Sequence, residues 1–476
     1  MAYHEYDDSD EQFNEACRYI LDAVLNGNVE TEADLNKIKK ESCKIYKLST
    51  LPSNGDIFIR ASPEEMEKTR FILQRKPVRT ISGVAVIAAM TSPSPCPHGK
   101  CIPCPGGPDS EFKSPQSYMG REPAAMRAFQ YNFDPYDQVK SRLVQLNTIG
   151  HDVSKAELII MGGTFSARTL DYQEWFVKRC LEAFNDHSFF EKPPVWRDRA
   201  KTIKTPTGTF IPLEEVQKAN ETAEVRNTGI TFETRPDWAL DEHIDLFLKL
   251  GGTKVELGVQ SIFDDVLLKM NRGHTVADTI SANKNLRNKC FKVGFHMMPG
   301  LFETDETREI EGFTELFSNP NFKPDYIKLY PTLVTEGTEL EKMWRRGEFT
   351  PLDDESGPKL ISKIKEILPR WTRLQRIQRD IPAQQILAGV KKSNIRQTAG
   401  EILKKQGKRC NCIRCREVGH NILRGTEPEY SNIKLSVEKY ECCEGLEHFI
   451  EFSDTKCDIL TGFCRLRFPY FEPKHK

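Results

Sequence analysis

The sequence predicts an α/β fold, a partial (βα)6 barrel whose chemistry sits at the carboxyl ends of its strands. Six short apolar runs predict the strands: GVAVIAAM (83–90), AELIIMGG (156–163), NTGITFET (227–234), TKVELGVQ (253–260), FKVGFHMM (291–298) and DYIKLYPT (325–332). Amphipathic, helix-length segments such as DYQEWFVKRCLEAFN and DEHIDLFLKLG lie between most of them, which is the rhythm of parallel βα units. Each run also ends in residues able to do chemistry. These are a cysteine loop, Gly162–Gly163–Thr164, Glu233–Thr234–Arg235, Gln260–Ser261, His296 with Met298, and Lys328 with Tyr330. In barrels and open parallel sheets, the carboxyl ends of the strands form the active site.

Residues 1–77 read as a helical region. FNEACRYILDAVLNG spaces its apolar residues near the helical period, and SPEEMEKTRFILQ opens with a Ser-x-x-Glu capping box. Residues 78–340 hold the barrel, and residues 341–425 read as a basic linker with a cysteine knuckle, entered through WRRGEFTPLDDESGPKL. Residues 426–476 carry the β-like runs IKLSVEKY, LEHFIEF and ILTGFCRLRF. No repeat or low-complexity tract interrupts the chain.

A 476-residue chain with 29% charged residues, 38% hydrophobic residues and a mean hydropathy of −0.53 reads as a soluble protein of two or three domains. It has no apolar run long enough for a transmembrane helix. The acidic opening MAYHEYDDSDEQ lacks the apolar core of a secretory signal. A cytoplasmic protein with no membrane partner is therefore expected. Net charge is −1, yet Lys359–Arg424 holds 17 Lys/Arg against 4 Asp/Glu, while Gly425–Lys476 holds 7 against 10. KTRFILQRKPVR (Lys68–Arg79) adds a second basic patch. Either stretch alone would suit a solvated helix face, but two flanking one catalytic core predict RNA or another polyanion as partner.

The fourteen cysteines are bunched, which in an intracellular chain favours metal over disulfide. Cys96, Cys101 and Cys104 fall within nine residues of the Pro/Gly-rich string CPHGKCIPCPGG, directly after the first strand. Three soft ligands with no obvious fourth suit a 4Fe–4S cluster with one iron left open. Such an iron can chelate the amino and carboxylate groups of S-adenosylmethionine (SAM) and pass an electron to its sulfonium, releasing a 5′-deoxyadenosyl radical. The bland alternative is a structural zinc loop with His98 as fourth ligand. The spacing Cys-x4-Cys-x2-Cys is one residue longer than the common radical-SAM pattern. MGGTF (Met161–Phe165) allows backbone to approach a ligand closely, and Gly162, Gly163 and Thr164 are expected to hold SAM. Glu233, Arg235, Gln260, His296 and Met298 would line the same mouth, although each alone could be a satisfied structural residue. The knuckle CNCIRC (Cys410, Cys412, Cys415) fits structural zinc, with His420, Cys442 or Cys443 within reach as a fourth ligand. A second cluster or free thiols remain open there. Cys17, Cys43, Cys180, Cys290, Cys457 and Cys464 read as ordinary semi-buried thiols.

CPHGKCIPCPGGPDSEF, SYMGREPAAMRAFQYNFDPYDQV, MGGTF, TFETRPDW, ELGVQS, HMMPGL, YPTLVTEGTEL, QRDIP and CIRCREVG occur in order. Together they resemble the catalytic subunit of Elongator in its archaeal form, across roughly residues 15–467. The resemblance implies a radical-SAM barrel fused to a GNAT-type acetyltransferase-like domain that modifies the wobble uridine of tRNA. In the family's proposed mechanism, the adenosyl radical takes hydrogen from the methyl of acetyl-CoA. The carbon radical adds to carbon 5 of uridine, and thioester hydrolysis leaves 5-carboxymethyluridine. By the same resemblance, Cys96, Cys101 and Cys104 bind the cluster and Lys155 contacts acetyl-CoA. Arg75, Lys76, Arg79, Arg376, Arg379, Lys391 and Lys392 face tRNA, and CNCIRC is the zinc knuckle. A reductant for the cluster is implied, and a homodimer or accessory subunits are compatible. GFCRLRF resembles an opening strand of the acetyltransferase-like domain. The family's Gly-rich loop for the CoA pyrophosphate is not found, so that domain reads as truncated. Two other readings stay open: a non-catalytic tRNA-binding partner, and a radical-SAM enzyme acting on another RNA or a small molecule.

Overall fold

The computed structural model describes residues 11–187 and 211–470. The first ten residues of the acidic opening and the last six residues, FEPKHK, lie outside the described residues. Two compact units divide the chain. The first comprises the chain up to Ile87, Tyr136–Glu157 and Lys178–Thr228, and the second comprises Ala88–Pro135, Leu158–Val177 and the chain from Gly229 onward.

The first unit opens with four helices, α1 (Glu11–Leu25), α2 (Glu32–Ile45), α3 (Asn54–Ile59) and α4 (Pro63–Leu73). Reciprocal capping boxes start three of them, from Thr31 with Asp34, Ser53 with Asp56, and Ser62 with Glu65. Each box satisfies two backbone donors that a helix start leaves free. Apolar residues at helical spacing on α1, including Cys17, Ile20, Leu21 and Val24, pack with Leu35, Ile57, Phe58 and Leu73 into one core. The loop after α4 is pinned by His151, whose Nδ1 lies 2.8 Å from Thr80 Oγ1 and 3.0 Å from Gln74 Nε2.

The expected strands are present: β1 (Ala85–Met90), β2 (Lys155–Met161), β3 (Arg226–Thr234), β4 (Gly252–Gln260), β5 (Lys292–Met297) and β6 (Tyr326–Leu329). After the two-residue β7 (Val334–Thr335) comes β8 (Arg373–Ile377), a seventh member of the sheet. Sheet order is β1-β2-β3-β4-β5-β6-β8, with parallel pairing at each step from β3 onward. All seven carboxyl ends belong to the second unit. The central strands are buried on both faces, as helix-covered parallel strands are.

The sequence places β8 in a basic linker, because RLQRI has two apolar residues in five and no clean alternation. In the structure it joins the sheet through pairs such as Ile327↔Leu374. The irregular entry expected at WRRGEFTPLDDESGPKL is also more ordered than its composition suggests. Helices Glu339–Arg345 and Ser356–Glu366 take its two ends, and Phe349 is buried against Phe302 with ring centroids 5.3 Å apart. β9 (Ile386–Ala388) pairs with β7, and helix Ile395–Lys405 follows.

β10 (Ile433–Glu441), β11 (Gly445–Asp454) and β12 (Ile459–Pro469) form an antiparallel sheet from the three runs expected in that region. Tyr440, Phe449 and Leu460 on this sheet pack with Trp371 and Ile413. Trp371 stacks on Tyr440 at 4.4 Å, and the Arg465 guanidinium donates to the Trp371 carbonyl at 2.5 Å. None of the fourteen cysteines is joined in a disulfide. Of the scattered six, Cys17 and Cys180 are buried and Cys43 half-buried, whereas Cys290, Cys457 and Cys464 are exposed.

Candidate active site

The cysteine loop leaves β1 at Met90 and is anchored at several points. Backbone bonds join Ile102 to Met270 (3.0 Å) and Leu340 to Ile102 (3.2 Å). Cys101 and Cys104 are buried in an apolar cluster with Val266, Leu267, Met270, Leu301 and Val334, and Met298 packs against it. The three sulfurs do not all lie within 4.8 Å of one another, unlike those of the knuckle. A single tetrahedral zinc with bonds of about 2.3 Å would hold its sulfurs about 4 Å apart. The looser set suits a cluster in which each thiolate takes a different iron. Each sulfur also has a polar neighbour. Thr164 Oγ1 lies 3.7 Å from Cys96, the Arg272 guanidinium donates to Cys101 at 3.6 Å, and the Gln116 amide donates to Cys104 at 3.0 Å. His98 Nε2 contacts Cys101 at 3.1 Å, so this imidazole touches one cysteine rather than completing a four-ligand set. Burial pushes the Cys96 and Cys101 thiols up, while Arg272 opposes that shift at both. Three soft donors with cationic and N–H neighbours fit an anionic iron–sulfur cluster.

The turn after β2 lies against the same loop. Gly162 and Gly163 have φ of +121° and +98°, which glycine alone adopts readily. A Cβ on Gly162 would stand 2.3 Å from Thr91 Oγ1, and one on Gly163 would stand 3.3 Å from the Gln116 Cβ. Thr164 is buried beside Cys96. Arg235 makes a two-pronged ion pair with Asp237 through Nε and Nη2, and its buried Nη1 has no partner among the described residues. Gln260 adopts φ +69° at an irregularity in the β4–β5 register, and its carbonyl accepts from Met298 N at 2.9 Å.

Glu233 and His296 belong to a second constellation deeper in the sheet. Register places Glu233 opposite Glu256, and His296 opposite Lys328. Lys328 is ion-paired with Glu256 and lies 3.6 Å from Glu233. His296 Nε2 is 2.8 Å from Glu256, and the Tyr118 hydroxyl donates to Glu233 at 3.1 Å. Burial pushes Glu233 up, reinforced by the neighbouring Glu256. Burial also acts upward on Glu256, but Lys328 and His296 outweigh it and hold this carboxyl well below the usual range. The two neighbouring carboxyls are thus driven in opposite directions by their surroundings. Sequence reasoning places Lys328 at a strand end able to do chemistry but gives it no partner, and it misses Glu256, Tyr118 and Gln116 as members of the site. A glutamate inside the apolar run VELGV and a lysine inside YIKLY are the available signals, since buried charge is rarely left unpaired.

The knuckle sulfurs of Cys410, Cys412 and Cys415 all lie within 4.8 Å of one another, close enough for one metal ion. Among the described residues no fourth ligand joins them. Cys442 and Cys443 pack instead against Asn283 and the carbonyls of Asn321 and Phe322. His420 Nε2 is 3.8 Å from Glu417.

Arg75, Lys76 and Arg79 are exposed on the pinned loop of the first unit, and Lys155 is exposed at the start of β2. Lys391 and Lys392 are exposed too, with backbone N–H groups held by Asp354 at 2.8 and 3.0 Å. Arg376 is ion-paired with Asp380, and Arg379 donates to the Ser117 carbonyl.

Residues 96–313 match the Radical SAM superfamily, 13–81 the ELP3 N-terminal domain, and 324–405 the Radical_SAM C-terminal domain. The chain is 48% identical, over 95% of its length and 80% of the relative's, to a protein of Methanocaldococcus jannaschii named tRNA uridine(34) acetyltransferase. It is 38% identical to human Elongator complex protein 3, over 92% of this chain and 77% of that one. The solved structure of archaeal Methanocaldococcus infernus Elp3, lacking its N-terminus, superposes with a TM-score of 0.69 at 44% identity, over 83% of this chain and 80% of that one. With identity of this order across nearly its whole length, the chain belongs to the Elongator complex protein 3 family of radical SAM proteins.

Proposed function

We propose that this chain is a tRNA uridine-34-modifying enzyme that carries out acyl transfer by radical-SAM chemistry. The observation that carries this reading is the convergence of Cys96, Cys101 and Cys104 with the Gly162–Gly163–Thr164 turn at one end of a parallel sheet. The names of its relatives supply the substrate. When bound, a 4Fe–4S cluster with one iron not held by the chain supplies an electron to the sulfonium of SAM, and so hydrogen-atom abstraction at the barrel mouth.

The chain's own residues position and shield that chemistry. Cys96, Cys101 and Cys104 would hold the cluster, while Arg272 and Gln116 donate to Cys101 and Cys104 and would offset its negative charge. The open backbone at Gly162 and Gly163 lets SAM lie close to the sheet, with Arg235, Gln260 and Met298 around it. Glu233, Glu256, His296 and Lys328 form a polar floor bound to one another. Acetyl-CoA is the co-substrate, met by Lys155, and the product is 5-carboxymethyluridine. Zinc sits on Cys410, Cys412 and Cys415. The tRNA lies on the exposed Arg75, Lys76 and Arg79 and on Lys391 and Lys392, with Arg376 and Arg379 joining after exchanging their present partners. Residues 1–77 act in tRNA binding, 78–340 as the barrel, 341–425 as the basic knuckle segment, and 426–476 as part of an acetyltransferase-like domain.

Anaerobic iron–sulfur reconstitution followed by reduction in the presence of SAM tests this reading. The chain is expected to release 5′-deoxyadenosine, and Cys101→Ala to release none. Normal SAM cleavage by Cys101→Ala would overturn it.

A further inference from the structure

Gln116 lies twelve residues beyond Cys104, in a segment that no motif reading singles out. Its side chain is 5% exposed, and its amide donates to Cys104 Sγ at 3.0 Å and to the Gly106 carbonyl at 3.4 Å. The carbonyl fixes which end of the amide faces the sulfur. An amide oxygen there would confront the Gly106 oxygen, whereas the NH2 group finds an acceptor in both neighbours.

The surroundings leave this amide little freedom. A Cβ on Gly107 would stand 2.8 Å from Gln116 Oε1, and one on Gly163 would stand 3.3 Å from Gln116 Cβ. The backbone on either side is tied down as well. Ser114 Oγ donates to the Tyr118 carbonyl, Gly107 bridges to Ser114, and Arg379 donates to the Ser117 carbonyl. Gln116 is therefore a preset N–H donor aimed at one cysteine of the three.

We propose that Gln116 is the positioning residue that sets the reduction potential of the cluster through Cys104. This rests on the reading of the Cys96–Cys104 loop as a cluster site. A hydrogen bond to a cluster thiolate draws electron density from the sulfur and favours the more negative, reduced state. Removing the donor makes the cluster harder to reduce. Gln116 also lies under the Gly162–Gly163 turn, so one side chain bears on both the electron donor and the place where SAM would lie.

The test uses the reconstituted full chain and two variants of similar size, Gln116→Met, which has no donor, and Gln116→Glu, which replaces it with a carboxylate. Iron content and the EPR-monitored midpoint potential are read for each. The expected result is wild-type iron loading with a potential shifted negative, more in Gln116→Glu than in Gln116→Met. The Gln116→Met cluster should be at least about threefold harder to reduce, a shift of about 30 mV for a one-electron couple. If only one variant loads iron, its potential decides the matter by the same criterion. Unchanged potentials overturn the proposal. Loss of iron from both variants also overturns it, because a bond to one sulfur of an intact three-cysteine set does not decide whether a cluster forms. Failure of the underlying reading is distinguishable, since the unaltered chain would then take up no cluster.

Discussion

The ammonium of Lys328 on β6 stands 3.6 Å from the carboxylate of Glu233 on β3, although β4 and β5 lie between them in the sheet. In a flat sheet those backbones would be about 14 Å apart. The pair closes because the sheet curls around its interior, so Lys328 can neutralise both Glu256 and Glu233. Register sets these two carboxylates directly opposite each other, and without that cation their repulsion would go unopposed.

Glu256→Gln is expected to destabilise the fold by about 3–5 kcal/mol, because it leaves Lys328 buried with only its longer-range partner. Urea unfolding at pH 7 reads this directly, and the double variant with Lys328→Met should recover part of the loss. The pH sign follows from the depressed Glu256 carboxyl. Its contribution is fully present above the unfolded value of about 4.3 and is lost as pH falls toward its folded value. The gap in stability between wild type and Glu256→Gln should therefore narrow on acidification below about pH 4. A gap that widened there would contradict the pairing.

If zinc occupies the knuckle as proposed, Cys412→Ser is expected to release it and lower the melting temperature without preventing assembly of the Cys96–Cys104 cluster. Cys412 is fully buried, and the next residue, Ile413, donates its N–H to the Thr372 carbonyl at 2.9 Å, tying the knuckle to the start of β8. Zinc and iron measured on the same sample by mass spectrometry separate the two sites. Simultaneous loss of both metals would mean that the knuckle is not an independent centre.

Trp371→Ala is expected to cost about 3–5 kcal/mol, since the Trp371 ring is buried and stacks on Tyr440. Limited proteolysis should then cut first within β10–β12. Equal protection of wild type and variant would show that this stack does not hold the C-terminal sheet in place.

Replacing Arg75, Lys76 and Arg79 together with glutamine should weaken tRNA binding and flatten its salt dependence. The slope of log K against log salt should fall by about 0.7–0.9 for each phosphate that these cations no longer neutralise. The three side chains are exposed on a loop fixed by His151, so their replacement should leave stability almost unchanged. An unaltered slope would place tRNA elsewhere.

The fold was legible where burial imposes a pattern. Strands β1 to β6 announced themselves because two-sided burial demands continuous apolar runs, and the Ser62–Glu65 box marked α4. β8 hid because Arg373 and Arg376 turn their charges to Glu417 and Asp380, so an edge strand reads as a basic stretch. The cysteine loop was legible through thiol spacing alone. Its supporting donors were not, since Gln116 and Arg272 reach Cys104 and Cys101 from twelve and 171 residues away. The Glu233–Glu256–His296–Lys328 set needed strand register, which no single run of sequence specifies.

Mass analysis of nucleosides from tRNA incubated anaerobically with the reconstituted chain, SAM, a low-potential reductant and acetyl-CoA reads the proposed uridine chemistry itself. Uridine 34 is expected to be converted to 5-carboxymethyluridine, and not to be converted with Cys96→Ala, Cys101→Ala or Cys104→Ala. Unmodified uridine 34 in the presence of vigorous SAM cleavage would contradict that chemistry.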